Sequence, residues 1–394
     1  MTTIRPRGMA SSVFLSMGFR PFFLLAGLWA VLGMGLWLLV LAGGLAPPGA
    51  LDPLSWHAHE ALYGYLGAVL AGFLLTAMPN WTGRPPMSGW PLAALAALWI
   101  LGRVAILVSE WLSMAIVALI DLSCLVALGG YAMHQVVVSR NWRNLVVVAM
   151  VGTLVAGNSL FHWEVAKDVH AVSGYGLRIG LAAMVMMISV IGGRIVPAFT
   201  RNWLAAHGGG NPAEFGRFDG LVLALTLFAL TAWVAFPHAP GTGFLLLVSG
   251  LAQVVRLCRW RGQETTREPL LWILHVGYAF VPLGMLGVGG AILWPESISS
   301  TAVRHLWLAG AIGVMTLAVM TRATLGHTGR ALTAGMGTTV IYLLVIASVF
   351  ARVAAGALPG YQTALWTLAA TLWCSGFVGF VFLYGWFLVS PSKE

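Results

Sequence analysis

The sequence predicts an all-α polytopic membrane protein with about 12 transmembrane helices. Of its 394 residues, 59% are hydrophobic and 8% are charged, whereas a soluble protein carries roughly 25% charged residues. Apolar runs of about 20 residues, each long enough to cross the hydrocarbon core of a bilayer, recur from end to end. The connections between them are short, so residues 1–394 are expected to form a single integral membrane domain.

The predicted helices follow one another in order, with short Gly- and Pro-rich turns between them. Each is justified by an apolar run of spanning length, bounded by polar or turn-forming residues. Numbered 1 to 12 along the chain, they lie at 21–43, 56–78, 89–109, 113–137, 144–163, 173–200, 218–236, 243–260, 269–293, 303–325, 334–355 and 361–389.

Three of these helices end alike, each with a threonine and an arginine close together. The pairs close helices 2, 6 and 10, and they are Thr82 with Arg84, Thr200 with Arg201, and Thr321 with Arg322. Repeats in membrane proteins often survive only as weak internal similarity of this kind. The spacing therefore favours three four-helix arcs in which helices 2, 6 and 10 occupy equivalent places.

The net charge of +9 follows from topology and requires no nucleic-acid partner. If the N-terminus is inside, Arg5, Arg140, Arg201, Arg261 and Arg330 fall at cytoplasmic ends of helices. An excess of positive charge in cytoplasmic connections is the usual rule for membrane proteins. Both termini are therefore expected in the cytoplasm, and the basic N-terminal segment is expected to lead into the first helix without cleavage.

Two histidines and a carboxylate lie within a few residues at the outer end of helix 2. His57 and His59 are two residues apart, so they point about 200° apart on a helix and are expected to serve different partners. His57 shares its face with Glu60, whereas His59 shares its face with Tyr63. An interfacial polar cap with an aromatic anchor is the alternative interpretation.

Histidines from two further helices are expected at the same membrane depth. His162 closes helix 5 and is one turn from Asn158, whose amide could orient the imidazole ring. His305 begins helix 10. Convergence of histidines from helices 2, 5 and 10 is what a metal or haem site inside a helix bundle requires. Chance placement of interfacial histidines is the alternative.

A second pair of histidines is expected near the cytoplasmic side. His275 lies in helix 9 and His327 closes helix 10. A helix separates His305 from His327 by about 33 Å, so these two cannot share a ligand. If both groups bind something, the protein has two sites. For His275 a hydrogen bond to a neighbouring helix is the alternative, and for His327 a helix cap.

Charged residues inside the predicted spans complete the set of candidates. Asp121 in helix 4 has no local partner, which marks it as a proton-path residue or as a carboxylic acid that stays protonated. Arg103 and Arg178 lie in the outer halves of helices 3 and 6, and each must find an anion. Haem propionates would suit a planar guanidinium, and pairing with Asp121 or Glu60 is the alternative.

Motifs distributed along nearly the whole chain carry a family resemblance. They are Gly18-Phe19-Arg20-Pro21-Phe22-Phe23, Trp56-His57-Ala58-His59-Glu60, Pro79-Asn80-Trp81-Thr82-Gly83-Arg84-Pro85, Gly192-Gly193-Arg194-Ile195-Val196-Pro197-Ala198-Phe199-Thr200, Leu274-His275-Val276-Gly277-Tyr278 and Gly326-His327-Thr328-Gly329-Arg330. On these motifs the chain resembles the NnrS family. The resemblance implies a bacterial inner-membrane protein that contains haem and copper and acts in nitric oxide metabolism or nitrosative-stress tolerance.

A weaker likeness connects the predicted arcs to subunit I of the haem-copper oxidases and to the nitric oxide reductases. In that superfamily, helices 2 and 10 hold a low-spin haem through histidines, and His59 and His305 occupy those helices here. The superfamily takes its second metal's ligands from helices 6 and 7, which carry no histidine in this sequence. A copy of that binuclear centre is therefore in doubt.

The first functional hypothesis is a haem protein, of b type, that binds or converts nitric oxide. His59 and His305 are the expected axial ligands, with Arg103, Arg178 or Arg304 near the propionates. Copper or a second cofactor is expected at His57 and His162 beside Glu60, or at the inner pair. The full set of candidate metal ligands is His57, His59, His162, His275, His305 and His327.

Whether the chain is an enzyme, such as a nitric oxide reductase-like oxidoreductase, stays open, with Glu60 and Tyr63 as candidates for catalysis. The expected partners are the lipid bilayer, nitric oxide or a related small ligand, and an electron donor such as a quinol or a cytochrome. The second hypothesis is a permease for a metal or small molecule, in which the same histidines line the path.

Overall fold

The computed structural model describes residues 13–46 and 49–393, and over those residues it is helical with no β-strand. It contains 12 helices long and apolar enough to cross a membrane. The predicted fold class is therefore confirmed. In chain order, α1 to α12 are Phe19–Leu41, Pro53–Thr82, Trp90–Leu107, Met114–Ser139, Trp142–Ala166, Tyr175–Ala206, Arg217–Ala235, Pro240–Cys258, Pro269–Leu293, Ser300–His327, Met336–Ala357 and Pro359–Val389.

The beginnings of α2 and α10 are defined by local capping. The Asp52 carboxylate accepts hydrogen bonds from the backbone N–H groups of Leu54 and Ser55 at 3.1 and 3.0 Å, and Pro53 occupies the first helical turn. The Ser299 hydroxyl accepts from the N–H of Ala302 at 3.3 Å. Such caps satisfy N–H groups that have no partner within the helix. They fix the beginnings of α2 and α10, the helices that carry His57, His59 and His305.

Helices α2, α6 and α10 form the centre of the bundle. In their most apolar windows, 83%, 72% and 72% of the residues are buried, compared with 61% or less in the other nine helices. A helix that is apolar on all sides and buried on all sides belongs to the core. The three helices predicted to be equivalent are thus also the three that the rest of the bundle surrounds.

The same three helices share a local irregularity. Each contains a π-helical segment, at Glu60–Tyr65 in α2, Ile188–Gly192 in α6 and Leu306–Val314 in α10. Over the described ranges these are the π-helical segments of the chain. Such segments are rare in proteins overall, and those that occur are frequently found at functional sites. In α2 and α10 the segment begins immediately after a histidine, His59 and His305 respectively.

Side-chain hydrogen bonds connect the central helices. The Tyr63 hydroxyl donates to the Gly176 carbonyl of α6 at 2.7 Å, and Tyr65 pairs with the Thr316 hydroxyl of α10 at the same distance. Gly180 permits the first contact, because a Cβ atom there would overlap the Tyr63 hydroxyl. These bonds fix α2 against α6 and α10 close to the candidate site.

The beginning of α1 lies against the end of α12. The buried Arg20 guanidinium donates to the carbonyl groups of Phe387, Leu388 and Ser390 at 3.3, 3.0 and 2.7 Å, and to the Ser392 hydroxyl at 3.1 Å. A guanidinium at a helix C-terminus satisfies carbonyl groups that have no partner within the helix. The bundle is thereby closed between its first and last helices.

Candidate metal and cofactor sites

One face of α2 carries His59 into a polar cluster between α2, α3, α4 and α5. His59 is 0% exposed. Its Nδ1 atom lies 3.0 Å from Oε1 of Glu60, and its Nε2 atom lies 3.0 Å from Oδ1 of Asn158 and 3.2 Å from Oδ2 of Asp121. Both ring nitrogens are therefore held by oxygen atoms, and the ring has one orientation.

His162 joins the same cluster through Asp121. Its Nε2 atom lies 3.0 Å from Oδ2 of Asp121, which also accepts a hydrogen bond from Nδ2 of Asn158 at 2.7 Å. One ligand atom from each of His59, Asp121 and His162 lies within 4.8 Å of the others, and all three residues are buried. This buried group of two imidazoles and a carboxylate could hold a metal ion.

Arg103 of α3 neutralises part of the negative charge in the cluster. Its Nη1 atom donates to Oε1 of Glu60 at 2.5 Å, and its Nη2 atom donates to Oδ1 of Asp121. The guanidinium also lies over the Trp99 ring, 5.8 Å from its centroid. Arg103 thus has the pairing with Asp121 and Glu60 that the sequence left as an alternative, and its two Nη atoms are engaged there.

The hydrogen bonds around His59 require a further proton or a cation. Each nitrogen of His59 faces an oxygen atom of a neighbouring side chain, and a neutral imidazole has only one N–H to donate. A second proton on His59, a protonated carboxyl group or a bound metal cation would satisfy this arrangement. Imidazole and carboxylate ligands suit copper, iron and zinc.

The opposite face of α2 borders a second feature, an aromatic cavity between α1, α2, α10 and α12. Its volume is about 50 Å³. His57 lines this cavity and stacks on the Trp37 ring, with 4.5 Å between the centroids. The other lining residues include Trp29, Trp56, Glu60, Tyr65, Leu308, Ile312 and Trp373.

Three buried polar atoms on the walls of the aromatic cavity lack a hydrogen-bond partner within the described part of the chain. They are Nε1 of Trp29, Nε1 of Trp56 and Oε2 of Glu60. These side chains are 9%, 1% and 3% exposed. A buried polar group without a partner is costly, so several in one cavity point to a bound molecule that completes them.

His305 of α10 lies near the aromatic cavity. It is one turn from Leu308, a lining residue, and its Nδ1 atom lies 2.8 Å from the Thr301 carbonyl oxygen. His57, Arg304 and Arg352 are all within electrostatic range of its ring. The structure therefore groups His305 with His57.

The histidines are thus paired differently from the expectation. His59 was expected to face His305, and His57 was expected to join His162 beside Glu60. The ring of His59 instead packs 5.1 Å from the ring of His162, centroid to centroid. His57 and His59 were predicted to face different surroundings; His57 stacks on Trp37, and His59, rather than His57, lies beside His162.

Arg178 and Arg304 make their hydrogen bonds to backbone carbonyl groups. Arg178 donates to Ser173 at 2.6 Å and to Val234 at 3.2 Å, while Arg304 donates to Ser300 at 3.3 Å and to Val172 at 3.4 Å. Arg178 lies within electrostatic range of Arg304, and Arg304 lies within electrostatic range of Arg352. The three guanidinium groups together form a positively charged group. Such a group is suited to an anionic substituent.

The inner histidines do not form a ligand cluster. Nε2 of His275 lies 2.8 Å from the Thr200 hydroxyl of α6, which is the bond to a neighbouring helix that the sequence left as an alternative. The His327 ring packs on Phe19 of α1, with 5.5 Å between the centroids. The described contacts give each inner histidine a separate structural partner.

Sequence reasoning missed the role of several residues. Asp121 was described as having no local partner, and its contacts with His59 and His162 were missed because these residues come from other helices. Asn158 was assigned to His162 by helical spacing, yet its carbonyl oxygen faces His59. Trp29 and Arg352 were not singled out, since a tryptophan or an arginine near a helix end is common in membrane proteins.

A protein-family model described as NnrS protein matches residues 13–392, nearly the whole chain. No curated protein matches the chain.

Proposed function

Because the chain belongs to the NnrS family, we propose that it is a haem- and copper-binding membrane protein that acts in nitric oxide metabolism or nitrosative-stress tolerance. The observation that carries the proposal is the division made by α2. One face presents His57 to an aromatic cavity with three unpartnered polar atoms, and the other presents His59 to a buried cluster with metal-ligand chemistry.

The haem belongs in the aromatic cavity, held by His57 and His305. The unpartnered indole N–H groups of Trp29 and Trp56 are donors that suit propionate oxygens, and Arg304 and Arg352 suit their negative charge. The flat aromatic walls suit a macrocycle, and because the volume of the cavity is about 50 Å³, side chains on its walls would have to move to admit one. When bound, a haem supplies an iron centre that takes up or releases one electron and can bind nitric oxide.

The metal, which we assign as copper, belongs between His59, His162 and Asp121. In this assignment Arg103 holds the Asp121 carboxylate through one oxygen, and leaves the other oxygen for the histidines. Asn158 donates a hydrogen bond to that same second oxygen and so helps to fix the orientation of the carboxylate. Neighbours that orient ligands in this way typically change metal affinity by about 10–100-fold.

The chain's own residues decide what chemistry is available. Ligation of the haem iron by both His57 and His305 would leave no open position, which favours electron transfer or sensing. Ligation by one of them leaves a position for nitric oxide, which favours a reductase-like reaction. We further propose a bacterial inner-membrane location with cytoplasmic termini, and a quinol or a cytochrome as electron donor.

The test is an optical spectrum combined with metal analysis of the purified protein. A haem Soret band and copper near one per chain are expected. His305→Ala should remove the Soret band, and His162→Ala should remove the copper. His134→Ala, on an exposed part of α4, is the matched control and should change neither.

Absence of the Soret band after expression with adequate haem would contradict the haem assignment. It would favour the permease, in which the same histidines line a transport path. Iron or zinc in place of copper would contradict the copper assignment and keep the metal site, because the donor set accepts all three metals.

A further inference from the structure

A second cavity lies at the centre of the bundle, where α2, α6 and α10 meet. Its volume is about 70 Å³, it is partly open, and it is distinct from the aromatic cavity. We refer to it as the central cavity. Its walls come from the three helices that contain π-helical segments, and they include Leu66, Leu70, Met184, Met187, Ile191 and Met315.

The walls of the central cavity offer no hydrogen bond to a guest. Thr316 is the lining residue that carries a hydroxyl, and its Oγ1 atom donates to the Ile312 carbonyl at 2.7 Å. The same atom pairs with the Tyr65 hydroxyl at 2.7 Å. A water molecule needs two to four polar partners, and an apolar cavity without them stays dry and accepts apolar guests instead.

The central cavity is adjacent to the aromatic cavity. Tyr65 lines the aromatic cavity, and the next residue, Leu66, lines the central cavity. Ile312 and Thr316 are divided in the same way, one turn apart on α10. The Tyr65–Thr316 hydrogen bond therefore lies in the partition between the two cavities.

We propose that the central cavity binds small, uncharged, apolar molecules and holds them beside the aromatic cavity. Nitric oxide belongs to this class, and its identification as the natural guest rests on the proposed function. The existence of the binding site does not rest on the proposed function. A gas that dissolves in the bilayer can collect in a dry cavity, and opening of the Tyr65–Thr316 pair would admit it to the aromatic cavity.

A lipid acyl chain is the other apolar occupant to consider. The volume of the central cavity, about 70 Å³, is less than half of the roughly 150 Å³ of a dry cavity that binds benzene or xenon. It has room for a molecule of a few atoms and not for a length of acyl chain. The size of the cavity therefore favours the gas.

The test is a structure of the purified protein determined under xenon pressure, since xenon is an apolar gas that is readily located. Xenon is expected in the central cavity. Leu70→Phe and Ile191→Phe each fill the cavity from a different helix and should lower xenon occupancy at least five-fold. Leu119→Phe makes the same kind of change on the lipid-facing side of α4, where Leu119 is 74% exposed, and should leave occupancy unchanged.

Either of two results would overturn the proposal. One is a folded wild-type protein with no xenon in the central cavity, and the other is an acyl chain occupying that cavity in lipid nanodiscs. Neither result depends on haem or copper. Xenon binding in a protein without a Soret band would support the central cavity as a binding site and contradict the proposed function. A Soret band in a protein that binds no xenon would contradict the binding site and support the proposed function.

Discussion

The ion pair between Arg103 and Asp121 is expected to give a large coupling free energy in a double-mutant cycle. Arg103→Gln removes the one arginine from a cluster that keeps Glu60 and Asp121, which are 3% and 4% exposed. Removing one partner of a buried ion pair leaves the other charge uncompensated and costs about 3–5 kcal/mol. We expect Arg103→Gln to lower the free energy of unfolding by that amount.

Asp121→Asn should be milder. The substituted amide keeps the shape of the side chain, and Arg103 keeps its contact with Glu60 at 2.5 Å. The variant loses hydrogen bonds to a charged group, which should lower the free energy of unfolding by about 2–3 kcal/mol. In the double variant the carboxylate that Arg103 neutralised is also gone. The combined effect should therefore fall short of the sum by about 2 kcal/mol.

The cycle is measured on metal-free protein, by titration with a denaturing detergent in mixed micelles followed by circular dichroism. Arg178→Gln combined with Asp121→Asn is the control cycle, because Arg178 donates to the carbonyl groups of Ser173 and Val234. That cycle should be additive. If the Arg103 cycle is also additive within about 0.5 kcal/mol, the ion pair does not contribute as we infer.

Three further changes have defined outcomes. Gly180→Ala should lower the free energy of unfolding by about 1–3 kcal/mol in the same titration, since the added methyl group overlaps the Tyr63 hydroxyl; no change would mean that α2 and α6 separate easily. Arg20→Gln should cost about 1.5–3 kcal/mol, because the guanidinium satisfies carbonyl groups at the end of α12; a neutral result would contradict this role. Trp56→Phe should leave stability nearly unchanged, because its N–H has no partner in the described chain, and should speed haem loss several-fold to an apoglobin acceptor; an unchanged rate would exclude that N–H from haem binding.

The transmembrane helices could be predicted because hydropathy depends on local composition alone. The predicted ends differ most in α2 and α6, which continue to Thr82 and Ala206 instead of ending at 78 and 200. Polar residues can remain helical beyond the hydrocarbon, so loss of hydropathy does not end a helix. The π-helical segments were not predicted, and no local signal in Glu60–Tyr65 or Leu306–Val314 distinguishes them from α-helix.

The sequence selected His59, His162 and Asp121 as candidates, but it did not predict that these three would meet. Helical geometry placed His57 and His59 on opposite faces of α2, because that depends only on their spacing. Which helices those faces meet depends on the arrangement of the bundle, and contacts with α4 and α5 are not encoded in the spacing. The pairing of Asp121 with Arg103 of the preceding helix was open as an alternative, whereas its contacts with His59 and His162 could not be predicted from spacing.

The central claim is that α2 separates two cofactors, and the most direct test compares His57→Ala with His59→Ala. Both variants are purified after expression with haem and copper, and each is measured for its Soret band and its copper content. The account predicts that His57→Ala loses the Soret band and keeps copper, and that His59→Ala keeps the Soret band and loses copper. Loss of the Soret band in His59→Ala with its retention in His57→Ala would contradict the account.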